Sequence, residues 1–457
     1  MESGKKSRTK LDLYEDKQTE KVAREASQKL SLRADLLESD LYALTDLLDD
    51  YRSQQLATPE EATQKVVVAG SQQEKCLQFL KAPKLLERIN QLIGESGIVG
   101  EENNRLFLFG IASSYKMPQT LHALIQGSSG SGKTHLLASI LALMPAEDVI
   151  SLTRVTESSF YNYQKNELTH KLIGLEDYDG LEEGAQLAWR ELQSKGTISS
   201  STSAKAEAHS DPQAKIRIVE GPIASLSATT QGEVYEDNMS RCFLVAVDES
   251  QEQTLRIIEH QNKVAAGLID TQAQKEIKTF LAHCVRMLRP YQVINPYAHL
   301  IKLPPEAHKI RRLNALFQSY VQQITLLHQY QRTKDEQGRL ITQKEDVAAA
   351  IQIMFESIVL KVDELDGSLR HFYEKLKAYV KEIGKGYAFS RLEVRQALKV
   401  SKSQQHHYFQ QLLDLEYIQQ VGGYANRGYL YKIYHWDDNE KVKAQISQYL
   451  HEQLKTL

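Results

Sequence analysis

A chain of 457 residues is long enough for about three domains and for a sizeable buried core. Its 59 acidic residues nearly cancel its 56 Lys and Arg, so overall charge selects no polyanionic partner; any nucleic-acid contact has to come from local patches. Cys76, Cys242 and Cys284 lie far apart without a CxxC pair, which excludes a metal-ligand cysteine pattern and points to a reducing compartment.

Taken in chain order, residues 1 to about 12 are polar and basic, with no apolar run behind them and no membrane-length stretch further on. A soluble, cytoplasmic protein is expected. Helical periodicity runs from Tyr14 to Arg52, where Leu30, Leu32, Leu36, Leu37, Leu41, Leu44, Leu47 and Leu48 share a broad face. That face suits a core, self-association or the docking of a partner helix. Thr58-Pro59-Glu60-Glu61 reads as a linker or helix start, which separates an N-terminal helical segment (1–70) from the rest of the chain.

From Ser71 several helices lead to a short buried strand, 121–126, and a helix, 135–144. Between them stands Gly127-Ser128-Ser129-Gly130-Ser131-Gly132-Lys133-Thr134, which fits the phosphate-binding loop G-x-x-x-x-G-K-[ST] at every fixed position. Glycines let backbone N–H groups curl round phosphates, and the helix N-terminus adds its positive dipole end. Lys133 is expected to reach the β- and γ-phosphates and Thr134 to ligate Mg²⁺, with ATP as the nucleotide. Strands at 148–152 and 172–175 alternate with helices, as in a parallel α/β sheet. The second ends in Glu176-Asp177-Tyr178-Asp179, where a carboxylate supports the metal and another polarises water. Glu176 is assigned to the metal and Asp177 to the water, an order reversed from the usual Asp-Glu.

Two alternating strands, 197–202 and 215–220, then form a β-hairpin with Lys205 in its polar tip. The next core strand, 223–228, ends in Thr229-Thr230, where Thr229 is positioned to sense the γ-phosphate. Ser240-Arg241-Cys242-Phe243 places Arg241 just before another apolar strand. Residues 251–365 read as helical, with Arg311 and Arg312 opening one helix, and the terminal helix 440–454 is expected to pack on the last domain. That domain, 366–457, carries the capping pattern Ser390 to Glu393, a helix with Lys402, Gln404, Gln405 and His406 on a polar face, and two strands flanking Gly422 to Gly428 with Arg427. Helix, helix–turn–helix and β-wing together resemble a winged helix, in which Lys402, Gln405 and Arg427 contact DNA.

In this order the motifs resemble an AAA+ ATPase of the minichromosome maintenance (MCM)-like branch, of the type associated with primases of phage and mobile elements. The resemblance rests on the 127–134 loop, the acidic motif at 176–179, the ELQSKGTIS segment from Glu191 to Ser199, Ser240-Arg241-Cys242-Phe243, and Arg311-Arg312-Leu313. It covers about 75 to 360 and implies an α/β AAA+ core (71–250) with a pre-sensor hairpin, and a helical lid (251–365) whose Arg311 or Arg312 closes on the phosphates. It further implies a homo-oligomeric ring, usually hexameric, in which Arg241 completes a neighbour's ATP site. Lys205 contacts single-stranded or forked DNA in that picture, and a primase or other replication protein is the partner. The expected activity is ATP-dependent DNA unwinding or translocation in replication; the alternative is a loader or regulator ATPase that recruits a partner without unwinding.

Overall fold

The computed structural model describes residues 11, 16–30, 32–56, 69–204, 213–230, 241–424 and 428–457. Contacts divide the chain into two units, 1–68 and 69–457. In the first unit the long periodic stretch forms two helices, Asp16–Leu30 and Ala34–Leu56. The Ser27 hydroxyl donates to the Leu32 carbonyl at 2.6 Å, which turns the chain between them. Leu36, Leu44, Leu47 and Leu48 stay exposed on the second helix.

The second unit is built on a parallel sheet. Strands β1 (His122–Gln126), β2 (Val149–Leu152), β3 (Lys171–Leu175), β6 (Ile223–Thr229) and β7 (Phe243–Ala246) run in the order β2-β3-β6-β1-β7. β4 (Thr197–Ala204) and β5 (Gln213–Glu220) form a separate antiparallel hairpin inserted before β6. β1 and β6 are buried at every position, as central strands of a sheet covered on both faces must be. Side chains alternate between the faces. Ala123 and Ile125 pack with Leu136, Leu137 and Ile140 of helix Lys133–Leu141, while Leu124 packs with Trp189 and Leu192 of helix Glu183–Lys195.

After β7 come helices Gln251–Ala265, Thr271–Met287, Ile310–Leu327 and Lys344–Val362, with the short parallel pair β8 (Val293–Ile294) and β9 (Leu340–Ile341). The last two of these helices share the core of the sheet. Phe107 meets Phe243 and Tyr320 edge-on at 5.0 and 4.9 Å, so the core continues without a break past residue 250. Asp346, in the first turn of helix Lys344–Val362, is fully buried and takes both prongs of the Arg332 guanidinium at 2.8 and 2.6 Å.

Residues 365–433 own a second apolar core around Phe372, Tyr373, Phe389, Phe409 and Tyr431. Helices Gly367–Ile383, Arg391–Leu398 and Lys402–Asp414 pack there with the antiparallel sheet β10-β12-β11, whose strands are β10 (Phe389–Ser390), β11 (Ile418–Tyr424) and β12 (Gly428–Ile433). The Ser390–Glu393 capping box forms as the spacing dictates. Arg370 joins Asp363 at 2.6 Å and also Asp437, tying the entrance of this region to its exit. The terminal helix, Asn439–Lys455, does not pack on this core. Ile446 and Leu450 join the main core against helix Lys344–Val362, and Lys443 pairs with Glu356 at 3.0 Å. Its apolar positions suited either surface, and the local pattern alone did not distinguish them.

His122 gives this fold a pH dependence. It is buried in β1, with Nδ1 against Ser225 Oγ at 3.0 Å and Nε2 against the Gln193 carbonyl at 3.1 Å. Burial disfavours the imidazolium and takes its pKa down to about 4, against the Gln193 bond, which favours it. The unfolded chain protonates this histidine near its ordinary value of about 6.5 while the folded chain does not. Stability is therefore fully present above that value and falls as pH drops toward 4. Urea unfolding should show a loss of roughly 2 kcal/mol from pH 7.5 to pH 5, and His122→Gln should flatten that slope even while lowering stability at pH 7.5.

Candidate functional site

The phosphate-binding pattern lies where β1 leaves the sheet. Its shape needs glycine at more than one point: Gly130 and Gly132 have φ of 82° and 94°, in the left-handed region. At Gly127, whose φ is ordinary, space is the reason, since a Cβ would come within 2.5 Å of Val247 Cγ2 and 2.6 Å of Ser131 Oγ. Helix Lys133–Leu141 begins directly after Gly132, and no side chain caps its first N–H groups. Lys133 is buried and lays its ammonium on the Ser128 carbonyl at 2.5 Å. Burial lowers its pKa, while the charges of Glu249 and Asp179 act in the opposite sense. Ser131 Oγ is buried without a hydrogen-bond partner among the described residues, and Ser129 and Thr134 are exposed. Uncapped N–H groups, an orphaned hydroxyl, an ammonium and the accessible Thr134 hydroxyl together fit a nucleotide phosphate with Mg²⁺.

β3 delivers the acidic turn to the same edge. Glu176 is half-buried, and its N–H continues the sheet to the Leu152 carbonyl at 3.0 Å. Asp177 is exposed and accepts from the Gly180 N–H at 3.2 Å, capping its own turn. Asp179 makes the contacts to the neighbouring strand end. It accepts from the Thr229 hydroxyl, and from the Thr230 N–H and hydroxyl at 2.7 Å each. Its charge is also the one of this turn that acts on Lys133. Because β6 lies between β1 and β3, Thr229 stands between the loop and the acidic turn.

A second carboxylate arrives from the other side. Beyond β7 the Val247 N–H bonds the Gln126 carbonyl at 3.1 Å, extending the ladder. Two residues on, Glu249 accepts from the Ser128 N–H at 2.5 Å and from the Ser128 hydroxyl at 3.0 Å. Ser128 is thus held by Glu249 at its N–H and by Lys133 at its carbonyl. Asp179 and Glu249 were not assigned from the sequence. Asp179 belongs to the acidic string already singled out, and its bond to Thr229 becomes visible only with the strand order. Glu249 ends the apolar run of β7, a signal shared by many solvated strand ends.

The remaining assigned residues lie elsewhere. Ala246 is level with Gln126 and Phe243 with Ala123, about 10 Å further down the strand, and Arg241 lies in the turn two residues before Phe243, at the opposite end of the sheet from its own loop. Arg311 and Arg312 are exposed in the first turn of helix Ile310–Leu327. Lys402 is exposed at the start of helix Lys402–Asp414, whose Ser401 cap bonds the Gln404 N–H. Gln405 requires a correction: it is 3% exposed and donates to the Arg391 carbonyl at 2.5 Å, so it joins two helices and presents nothing to a groove. Lys205 and Arg427 fall outside the described residues.

Residues 67–288 match the family described as MTBMA_p00010 P-loop domain. The uncharacterized protein MTBMA_p00010 of Methanothermobacter marburgensis is 21% identical over a region covering 67% of this chain and 39% of the relative. The chain thus spans well under half the length of that protein. It carries an α/β P-loop domain, the framework of nucleotide binding, and no helix among the described residues is long and apolar enough to cross a membrane.

Removing the Glu249 clamp should loosen the loop. Glu249→Ala is expected to weaken nucleotide binding about tenfold in a fluorescent-nucleotide titration, the scale of losing a charge-assisted hydrogen bond, with Glu249→Gln recovering most of it.

Proposed function

We propose that this protein is an ATP-dependent DNA helicase or translocase of the MCM-like AAA+ type, working as an oligomeric ring in replication of a mobile element or phage. The observation that carries this reading is the separation of Arg241 from its own nucleotide loop across the length of the sheet. A cation ahead of β7 serves no phosphate at the other edge of the same subunit. In a head-to-tail ring it faces the loop of the next copy, where it stabilises transition-state charge on the transferring phosphoryl group.

Within one subunit, Lys133 and the N–H groups of the loop bind the β- and γ-phosphates, and Thr134 with Glu176 holds Mg²⁺. The metal, when bound, neutralises charge on the phosphates. Asp177, or Asp179 from the same turn, takes the proton of the attacking water. Thr229 stands at the γ-phosphate, and Arg311 or Arg312, from the helical lid of residues 251–365, closes on the phosphates in the assembled ring. The hairpin β4–β5 carries Lys205 toward a DNA strand. The last region, read as a winged helix, presents Lys402 and Arg427 to the phosphate backbone, a contact that weakens steeply with salt. A primase or another replication protein is the natural partner of such a ring.

One observation favours a second reading. Leu36, Leu44, Leu47 and Leu48 expose an apolar face on helix Ala34–Leu56, as expected of an ATPase that recruits a partner instead of unwinding. Deleting residues 1–70 separates the two: unwinding survives in the first reading, and partner recruitment fails in the second.

Unwinding of a forked DNA by the full chain should require ATP and vanish in Lys133→Ala. Arg241→Ala should lower ATP turnover by at least about a hundredfold. Mixing it with Lys133→Ala subunits should restore part of the turnover, because some interfaces then pair an intact loop with an intact arginine. Turnover indifferent to every DNA, with no recovery on mixing, would refute the ring helicase.

A further inference from the structure

The face of β1 that carries His122 and Leu124 ends at Gln126, the last residue before the loop. Gln126 is 2% exposed, and neither its amide nitrogen nor its amide oxygen has a hydrogen-bond partner among the described residues. An amide in that condition opposes folding, because water satisfies both ends in the unfolded chain. Leucine or methionine would occupy the strand end without that cost, as Leu124 does one step below. The position therefore carries a polar group that no described residue uses.

Its neighbours say where the amide is aimed. Gln126 is level with Thr229 on the adjacent β6 and faces the same side of the sheet. Thr229 holds Asp179, whose charge acts on Lys133 of the loop. Adjacent strands are about 4.8 Å apart, within the span of a glutamine side chain. One more orphan lies on this face: Ser227 Oγ, one step further down β6, is buried without a partner among the described residues. The unpartnered amide thus borders the point where the phosphate loop and the acidic turn converge.

We propose that Gln126 is a further catalytic residue whose amide orients the water that attacks the terminal phosphate. This rests on the reading of the loop as a triphosphate hydrolase. The water oxygen bonds to the γ-phosphorus, the bridging β–γ oxygen leaves with the diphosphate, and the water's proton passes to a carboxylate of the 176–179 turn. Gln126 accepts one hydrogen of the water through Oε1, or donates to its oxygen through Nε2, and so fixes the line of attack. A glutamine suits this work because it stays neutral and adds no charge beside a polyanion.

The competing role is structural, with a buried water bridging Gln126 and Ser227. Gln126→Met in the full chain separates the two roles, since methionine keeps the length and removes both polar atoms. For the catalytic role, thermal unfolding without nucleotide shows a melting temperature unchanged or raised. Turnover of ATP falls about tenfold or more, with KM within about threefold of wild type. A lowered melting temperature, or a variant that does not fold, identifies a structural amide and overturns the proposal. Unchanged turnover in a folded variant overturns it as well. Wild-type protein that hydrolyses no triphosphate refutes instead the reading of the loop, and the melting temperature still reports whether the amide is structural.

Discussion

All five core strands run parallel, and that constraint governs everything chemical in this chain. A parallel sheet sends every carboxyl-terminal turn to one edge and every amino-terminal approach to the other. The loop after β1, the acidic turn after β3, Thr229 at the end of β6 and Glu249 after β7 therefore converge, although Ser128 and Glu249 stand 121 positions apart in the chain. Arg241, on the approach to β7, is excluded from that group by the same rule. Neither outcome depends on the particular side chains; direction alone assigns them to opposite edges.

Within that edge the ordering of strands refines the chemistry. β6 stands between the strand of the loop and the strand of the acids, so a threonine hydroxyl occupies the centre and the carboxylate of Asp179 reaches it from one side. Glu249 comes from the other side and secures the mouth of the loop through Ser128. Negative charge close to an expected polyanion is unfavourable in isolation. Here it is offset by two donors from Ser128 and by the Lys133 ammonium, so it shapes the loop more than it repels the ligand.

How much of this was legible in the residues depends on the range of the signal. The loop was readable because its determinants are adjacent: glycines where φ is positive, then lysine and threonine at the helix start. The hairpin, the Ser390–Glu393 box and the alternation of strands and helices were local in the same sense. The orientation of Gln405 was not, because a polar residue in a helical stretch serves equally as a groove contact or as a link to the Arg391 carbonyl. The pairing of Asp179 with Thr229 needed the strand order, which no spacing along the chain encodes. The docking of the terminal helix needed tertiary packing, since Ile446 and Leu450 fit either of two apolar surfaces.

The Arg370 cluster has a mechanical meaning. Asp363 precedes the second core and Asp437 follows it, and one guanidinium holds both. With helix Asn439–Lys455 returned to the main core, residues 365–433 form an excursion out of the helical region, clasped at its neck. Such a body cannot swing freely as a terminal appendage on a tether. Its first helix also meets the sheet, since a Cβ on Gly367 would stand 3.0 Å from that of Ala246, so the excursion is anchored at its neck and against the strand that leads to Glu249.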